Sequence, residues 1–158
     1  MSSAFGLLLT FGIGFVAGLR TMTAPAVVAW AAHLGWINLS GTPLSFMGSV
    51  WAVGLFTLGA LAEFVTDQLP TTPARTVPIQ LGARTVMGLL TGACVGIAAN
   101  MPLWLGAVMG AVGAIAGTFG GYHARVGLVR GLQVKDIVVA IPEDVLAVGL
   151  GLLIVSHF

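Results

Sequence analysis

The chain has 158 residues, of which 58% are hydrophobic and 7% charged, with 23 glycines and a net charge of +1. A soluble domain carries roughly 25% charged residues, so this composition excludes an ordinary water-soluble globule and indicates an integral membrane protein. The near-zero net charge offers no basic patch for nucleic acid, and the single Cys94 permits no internal disulfide.

The amino terminus, MSSAFG, has no positive charge ahead of its apolar run, so no cleaved signal peptide is expected there. Six apolar segments follow, at 4–19, 24–40, 44–66, 81–99, 102–122 and 137–156. A spanning helix needs about 20 residues, with a range of about 17–25. The last four segments satisfy this, whereas the first two are short, at 16 and 17 residues. Those two alternatively form one long helix bent between Thr21 and Pro25, where proline removes a backbone donor. The expected fold is all-α: one domain, a polytopic transmembrane helical bundle of six, alternatively five, transmembrane segments.

Charge placement favours six. With six spans, the turns at 20–23, 67–80 and 123–136 share one side of the membrane, and those at 41–43 and 100–101 share the other. All six basic residues (Arg20, Arg75, Arg84, Arg125, Arg130, Lys135) and all five acids (Glu63, Asp67, Asp136, Glu143, Asp144) then gather at the first face. The positive-inside rule makes that face cytoplasmic and leaves both termini external. Five spans would hold Arg20 near mid-membrane, at a cost of about 2.5–3.5 kcal/mol. Trp30, Trp36, Trp51 and Trp104 fall toward the uncharged face, as an aromatic belt would.

Internal similarity is faint. Gly18-Leu-Arg20-Thr21 matches Gly82-Ala-Arg84-Thr85, which pairs segments two and three with four and five. Leu8-Leu9-Thr10 set on Leu89-Leu90-Thr91 would instead give two inverted halves. Glycine spacing says more. Gly113, Gly117 and Gly121 lie four apart, as do Gly88, Gly92 and Gly96, and Gly14 and Gly18. Such spacing puts glycines on one helix face and lets backbones approach, so glycine-mediated helix packing is expected, within one bundle or across a homo-oligomer seam.

Glu63 and Asp67 share a face at the end of the third segment, where the helix dipole disfavours acids; Arg84 opens the fourth, where a cation is equally misplaced. The two sets are expected to neutralise each other, with Arg75 or Arg20 joining them. The result is either an ion-pair cluster that fixes helix ends or a charged vestibule for an ion, proton or polar headgroup. Pro142-Glu143-Asp144 reads as a helix start, although acids inside an otherwise apolar run usually face a bundle interior. His123, near Arg125, reads as an interfacial residue, or with Glu63, Asp67 and Glu143 as part of a proton relay or metal site. No ligand-spacing motif supports a metal, and His33 and His157 stand too isolated to argue from. The stretch Leu69-Pro70 to Pro78 holds three prolines and should be extended and stiff. Gly12-x-Gly14-x-x-x-Gly18 has the wrong spacing for a dinucleotide fingerprint. No nucleophile–base pair appears, so neither an enzyme nor a cofactor is expected.

Gly18-Leu-Arg20-Thr21, Glu63-x-x-x-Asp67-x-Leu69-Pro70-x-x-Pro73-x-Arg75, Gly121-Tyr122-His123-x-Arg125 and Glu143-Asp144 together resemble a family of small bacterial integral membrane proteins catalogued as a domain of unknown function. The resemblance covers nearly the whole chain. It implies an all-helical inner-membrane protein and no substrate, cofactor or reaction.

The expected function is a small transporter or channel for an ion, proton or polar solute, with its site at the cytoplasmic face. In that site Glu63 and Asp67 attract a cation or proton, Arg20 and Arg84 balance them or hold an anionic group, and Glu143 and Asp144 line the same cavity. The alternative is a non-catalytic assembly or lipid-binding subunit that packs against a membrane-protein partner.

Overall fold

A computed structural model describes residues 2–69 and 74–158. Its described residues form six α-helices and no strand: α1 (Ser3–Leu19), α2 (Thr23–His33), α3 (Val50–Thr66), α4 (Pro78–Ala98), α5 (Leu103–Leu132) and α6 (Asp136–Val155), with a 3-10 turn at Ser45–Gly48 before α3. Local chemistry sets most of the helix ends. The Ser2 and Ser49 hydroxyls accept from the amides of Phe5 (3.3 Å) and Ala52 (3.1 Å), capping α1 and α3. Pro78 occupies the first turn of α4, where its missing N–H costs nothing. After α2, Gly35 takes a φ of 78° and lets Trp36 N–H reach Ala31 C=O at 2.9 Å. Asn100, at φ 57°, closes α4 in the same way through Met101 N–H to Gly96 C=O.

Three helices, α4, α5 and α6, are long and apolar enough to cross a membrane, whereas the sequence led us to expect six or five. The apolar helices α1 and α3 have 17 residues each, about 26 Å at 1.5 Å per residue, slightly less than a hydrocarbon core of about 30 Å. The expected span 24–40 stops at His33, because Gly35 and the turn beyond it end the helix. The expected span 44–66 begins as a helix only at Val50. Conversely, α5 continues ten residues beyond its expected end at 122, because nothing interrupts it before Gln133 adopts a left-handed conformation.

Neighbours along the helices fix their directions. Gly12 lies against Ile154, Arg20 against Asp144 and Val27 against Gly151, so α6 runs against α1 and along α2. The chain therefore reverses at Arg20–Met22, and α1 and α2 are not one bent helix. The Phe5 and His157 rings meet edge to face, 5.4 Å apart, so both ends of the described chain lie at the end opposite the charges.

The most extensive packing is among α1, α4 and α5. A methyl at Gly92 would lie 2.6 Å from Gly110 Cα, one at Gly96 2.8 Å from Gly106 Cα, and one at Gly18 2.6 Å from Thr118 N. These backbones approach too closely for any side chain between them. Outside this trio, α3 presents Val50, Trp51, Leu55, Leu58, Leu61 and Val65 outward, Trp51 at 88% exposure. In water such a stripe would be an aggregation hazard; in lipid it is ordinary.

Candidate functional site

Helix ends that should be poorly satisfied meet at one place. The last turn of α1 leaves carbonyls without intrahelical partners, and the amides leading into α2 are likewise unpaired. Arg84, in the second turn of α4, donates through one nitrogen to Gly18 C=O at 2.8 Å and Leu19 C=O at 2.9 Å. Glu63, in the last turn of α3, accepts from Thr21 N–H at 2.8 Å and Met22 N–H at 2.9 Å. A cation therefore sits at the negative end of α1 and an anion at the positive end of α2. The two side chains approach each other to 3.7 Å. Each looked misplaced on its own helix because it serves the end of another.

Arg20, the fully buried C-cap of α1, bridges Asp67 at the end of α3 and Asp144 on α6. Its guanidinium also lies 5.4 Å from the centre of the Phe64 ring, within cation–π reach. Farther out, Arg75 grips Glu143 with both terminal nitrogens, one at 2.7 Å. Arg125 on α5 binds Asp136, through Nε at 2.8 Å, and also Glu143 at 3.3 Å. Three buried polar atoms near the reversal, Arg20 Nε, Arg84 Nε and Thr23 Oγ1, have no hydrogen-bond partner among the described residues.

The charges are sorted by helix. Arg20 caps α1, Arg75 leads into α4, Arg84 lies on α4 and Arg125 on α5. The acids belong to α3 and α6: Glu63 and its neighbour Asp67, then Asp136, Glu143 and Asp144. Every ion pair among the described residues thus joins the α1–α4–α5 body to α3 or α6, as a two-sided clasp at one end of the molecule.

The structure brings together Glu63, Asp67, Arg84, Arg20, Arg75, Glu143 and Asp144. His123 stands apart: it is exposed and packs its ring on Tyr122 at 5.5 Å. No three potential metal-ligating side chains converge among the described residues. Pro142 does not start α6. It lies two turns inside a helix that begins at Asp136, so Glu143 and Asp144 stand within the helix, where they reach Arg75 and Arg20. Sequence reasoning missed Arg125 and Asp136 as members of the network. The signal was the Gly121-Tyr122-His123-x-Arg125 motif, which was read as the end of a helix that in fact continues. The expectation for Pro70 and Pro73 falls outside the described residues.

Beside the clasp lies a cavity of about 420 Å³ that carries charged side chains among apolar ones, lined by Asp67, Arg75, Tyr122, Arg125, Arg130, Asp136, Val126 and Val129 among others. An apolar cavity of about 470 Å³ opens between α5 and α6, lined by Phe15, Leu19, Leu128, Leu132, Val139 and Leu146, with Arg125 and Glu143 at its edge.

Comparison with curated proteins and with solved structures gave no match. The family comparison did: with three helices long and apolar enough to cross a membrane, the chain belongs to the family described as "Domain of unknown function (DUF4126)", whose model matches residues 7–157.

Proposed function

We propose that this is a small multi-pass protein of the bacterial inner membrane that moves an ion, a proton or a small polar solute, with the clasp as its cytoplasmic gate. The observation that carries the reading is the segregation of charge: arginines on one body, acids on α3 and α6. Buried ion pairs contribute little net stability compared with apolar packing, and their best-attested use is in registry and switching. Charges placed within membrane segments are expensive and usually functional. A clasp of this kind lets α3 and α6 part from α1, α4 and α5 as units, in the manner of rocking bundles. In this reading glycine-mediated contacts keep α1, α4 and α5 rigid. The short helices α1 and α3 span a locally thinned bilayer, α2 completes the alternation, and the outward face of α3 meets lipid or a second copy in a homo-oligomer.

The test is reconstitution into liposomes with ion and proton flux recorded. Asp67→Asn with Asp144→Asn removes both acids on Arg20 and should raise leak or turnover. Glu63→Gln with Asp67→Asn should change cation or proton flux, and unchanged flux in that pair would sink the role assigned to those carboxylates. One observation favours a second reading, a non-catalytic assembly or lipid-binding subunit: each of the five acids already has an ion-pair partner. A fixed stoichiometric membrane-protein partner on purification in mild detergent, with no flux, would select it.

A further inference from the structure

We infer that the end of the molecule around Arg125 and Arg130 binds an anionic phospholipid, its phosphate in the arginine-lined cavity and an acyl chain between α5 and α6. This goes beyond the gating reading and does not depend on it. Arg125 lines both cavities, so a charge-bearing cavity and an apolar cleft share one residue. Both fall within the range of ligand pockets, about 300–1,000 Å³.

Charge complementarity selects the sign of the headgroup. The charged cavity is lined by Arg75, Arg125 and Arg130 against Asp67 and Asp136, and Glu143, which pairs with Arg75 and Arg125, brings the acids to three. Arg75 is held by Glu143, and Arg125 by Asp136 and Glu143. Arg130 has no ion pair among the described residues, and it lies five residues beyond Arg125 on the same helix. Arg125 also keeps unused donors, because a guanidinium carries five N–H groups and three are engaged here. Two arginines in one lining suit a phosphate, which arginine recognises by its planar fork.

The apolar cleft selects an amphiphile over a soluble anion. Its walls include Leu128, Leu132, Val138 and Leu146, which are 48–63% exposed and so are continuous with the lipid-facing surface. Gly120 also lines the cleft, and a methyl added there would have Phe15 as its nearest neighbour, at 3.9 Å. The cleft is therefore open along α5.

The experiment uses the full chain in mild detergent and follows thermal unfolding while phosphatidylglycerol, phosphatidylcholine or inorganic phosphate is added. The expected result is a saturable upward shift with phosphatidylglycerol that phosphatidylcholine and phosphate do not reproduce. Arg130→Gln, which removes no ion pair, should leave the lipid-free midpoint unchanged and weaken the phosphatidylglycerol response about fivefold. Gly120→Leu, which fills the cleft, should abolish saturation. An equal response to phosphatidylcholine, an equal response to phosphate, or an Arg130→Gln titration matching the wild type would each overturn the assignment.

Discussion

Glu63 and Arg84 lie 3.7 Å apart, yet each makes its better contacts elsewhere: Glu63 with the amides of Thr21 and Met22, Arg84 with the carbonyls of Gly18 and Leu19. The pair brackets the reversal between α1 and α2. Its polarity is fixed by the backbone, since acceptors must face the amides and donors must face the carbonyls. Glu63→Gln or Arg84→Gln should cost about 3–5 kcal/mol, the range for stranding one partner of a buried pair. Exchanging the two, Glu63→Arg with Arg84→Glu, should not recover that loss, because donors would then face donors. A double variant as stable as wild type in a detergent melting curve would show that the mutual charge, and not helix capping, is what matters.

Arg20 bridges acids on two different helices, Asp67 and Asp144, from a fully buried position. A forked guanidinium can serve both at once, whereas a lysine offers one point charge. Arg20→Lys should therefore fail to rescue, with a melting point close to that of Arg20→Gln. Asp136 is the contrasting case, with a side chain 59% exposed. Asp136→Asn should cost about 0–1 kcal/mol, as exposed pairs do. Equal losses from Arg20→Lys and Asp136→Asn would contradict the burial gradient across the clasp.

Close backbone approach makes a separate, graded prediction. Gly92→Ala places a methyl 2.6 Å from Gly110 Cα, and overpacking of this kind costs about 1–3 kcal/mol. Gly149 on α6 has no heavy atom within 4 Å of an added methyl. Gly149→Ala should be neutral or stabilising by up to about 1 kcal/mol, through helix propensity. Thermal melts of both variants in one detergent decide it, and a Gly92→Ala protein as stable as Gly149→Ala would rule out the tight α4–α5 approach.

The helical class and the crowding of charge were legible because composition and placement carry them: apolar runs are long, and the ionisable residues cluster in a few turns. The misfit of Glu63 and Arg84 with their own helix dipoles was legible too, and it pointed each to the other, a pairing that the structure shows at 3.7 Å beside shorter contacts to backbone partners. What those partners were was not, because the orphan groups that attract them belong to the backbone of α1 and α2. Such groups have no side-chain signature. Helix ends set by backbone geometry were misread for a similar reason. Pro142 looked like a first-turn residue but sits inside α6, and Arg125 looked like a terminus but lies mid-helix. The sorting of acids onto two helices was not read from the sequence, because Asp67 and Asp136 fell in the expected turns; it emerged only once α3 and α6 were seen facing arginines on the other three helices.

The directions of the helices predict the sidedness of the chain in a bilayer. Ser40 lies in the segment between α2 and α3, at the end where Phe158 and Asn100 also sit, and Gln133 caps α5 at the clasp end. Both are exposed, while the native Cys94 is buried and should give little background. Ser40→Cys and Gln133→Cys, made singly, should react with a membrane-impermeant thiol reagent from opposite sides of sealed vesicles, with Gln133→Cys on the cytoplasmic side. The arginine-rich end is then the one the positive-inside rule retains. Labelling of both positions from the same side would mean that the helix bundle does not stand across the membrane along its own long axis, and the gate proposed for the clasp would lose its place at one face.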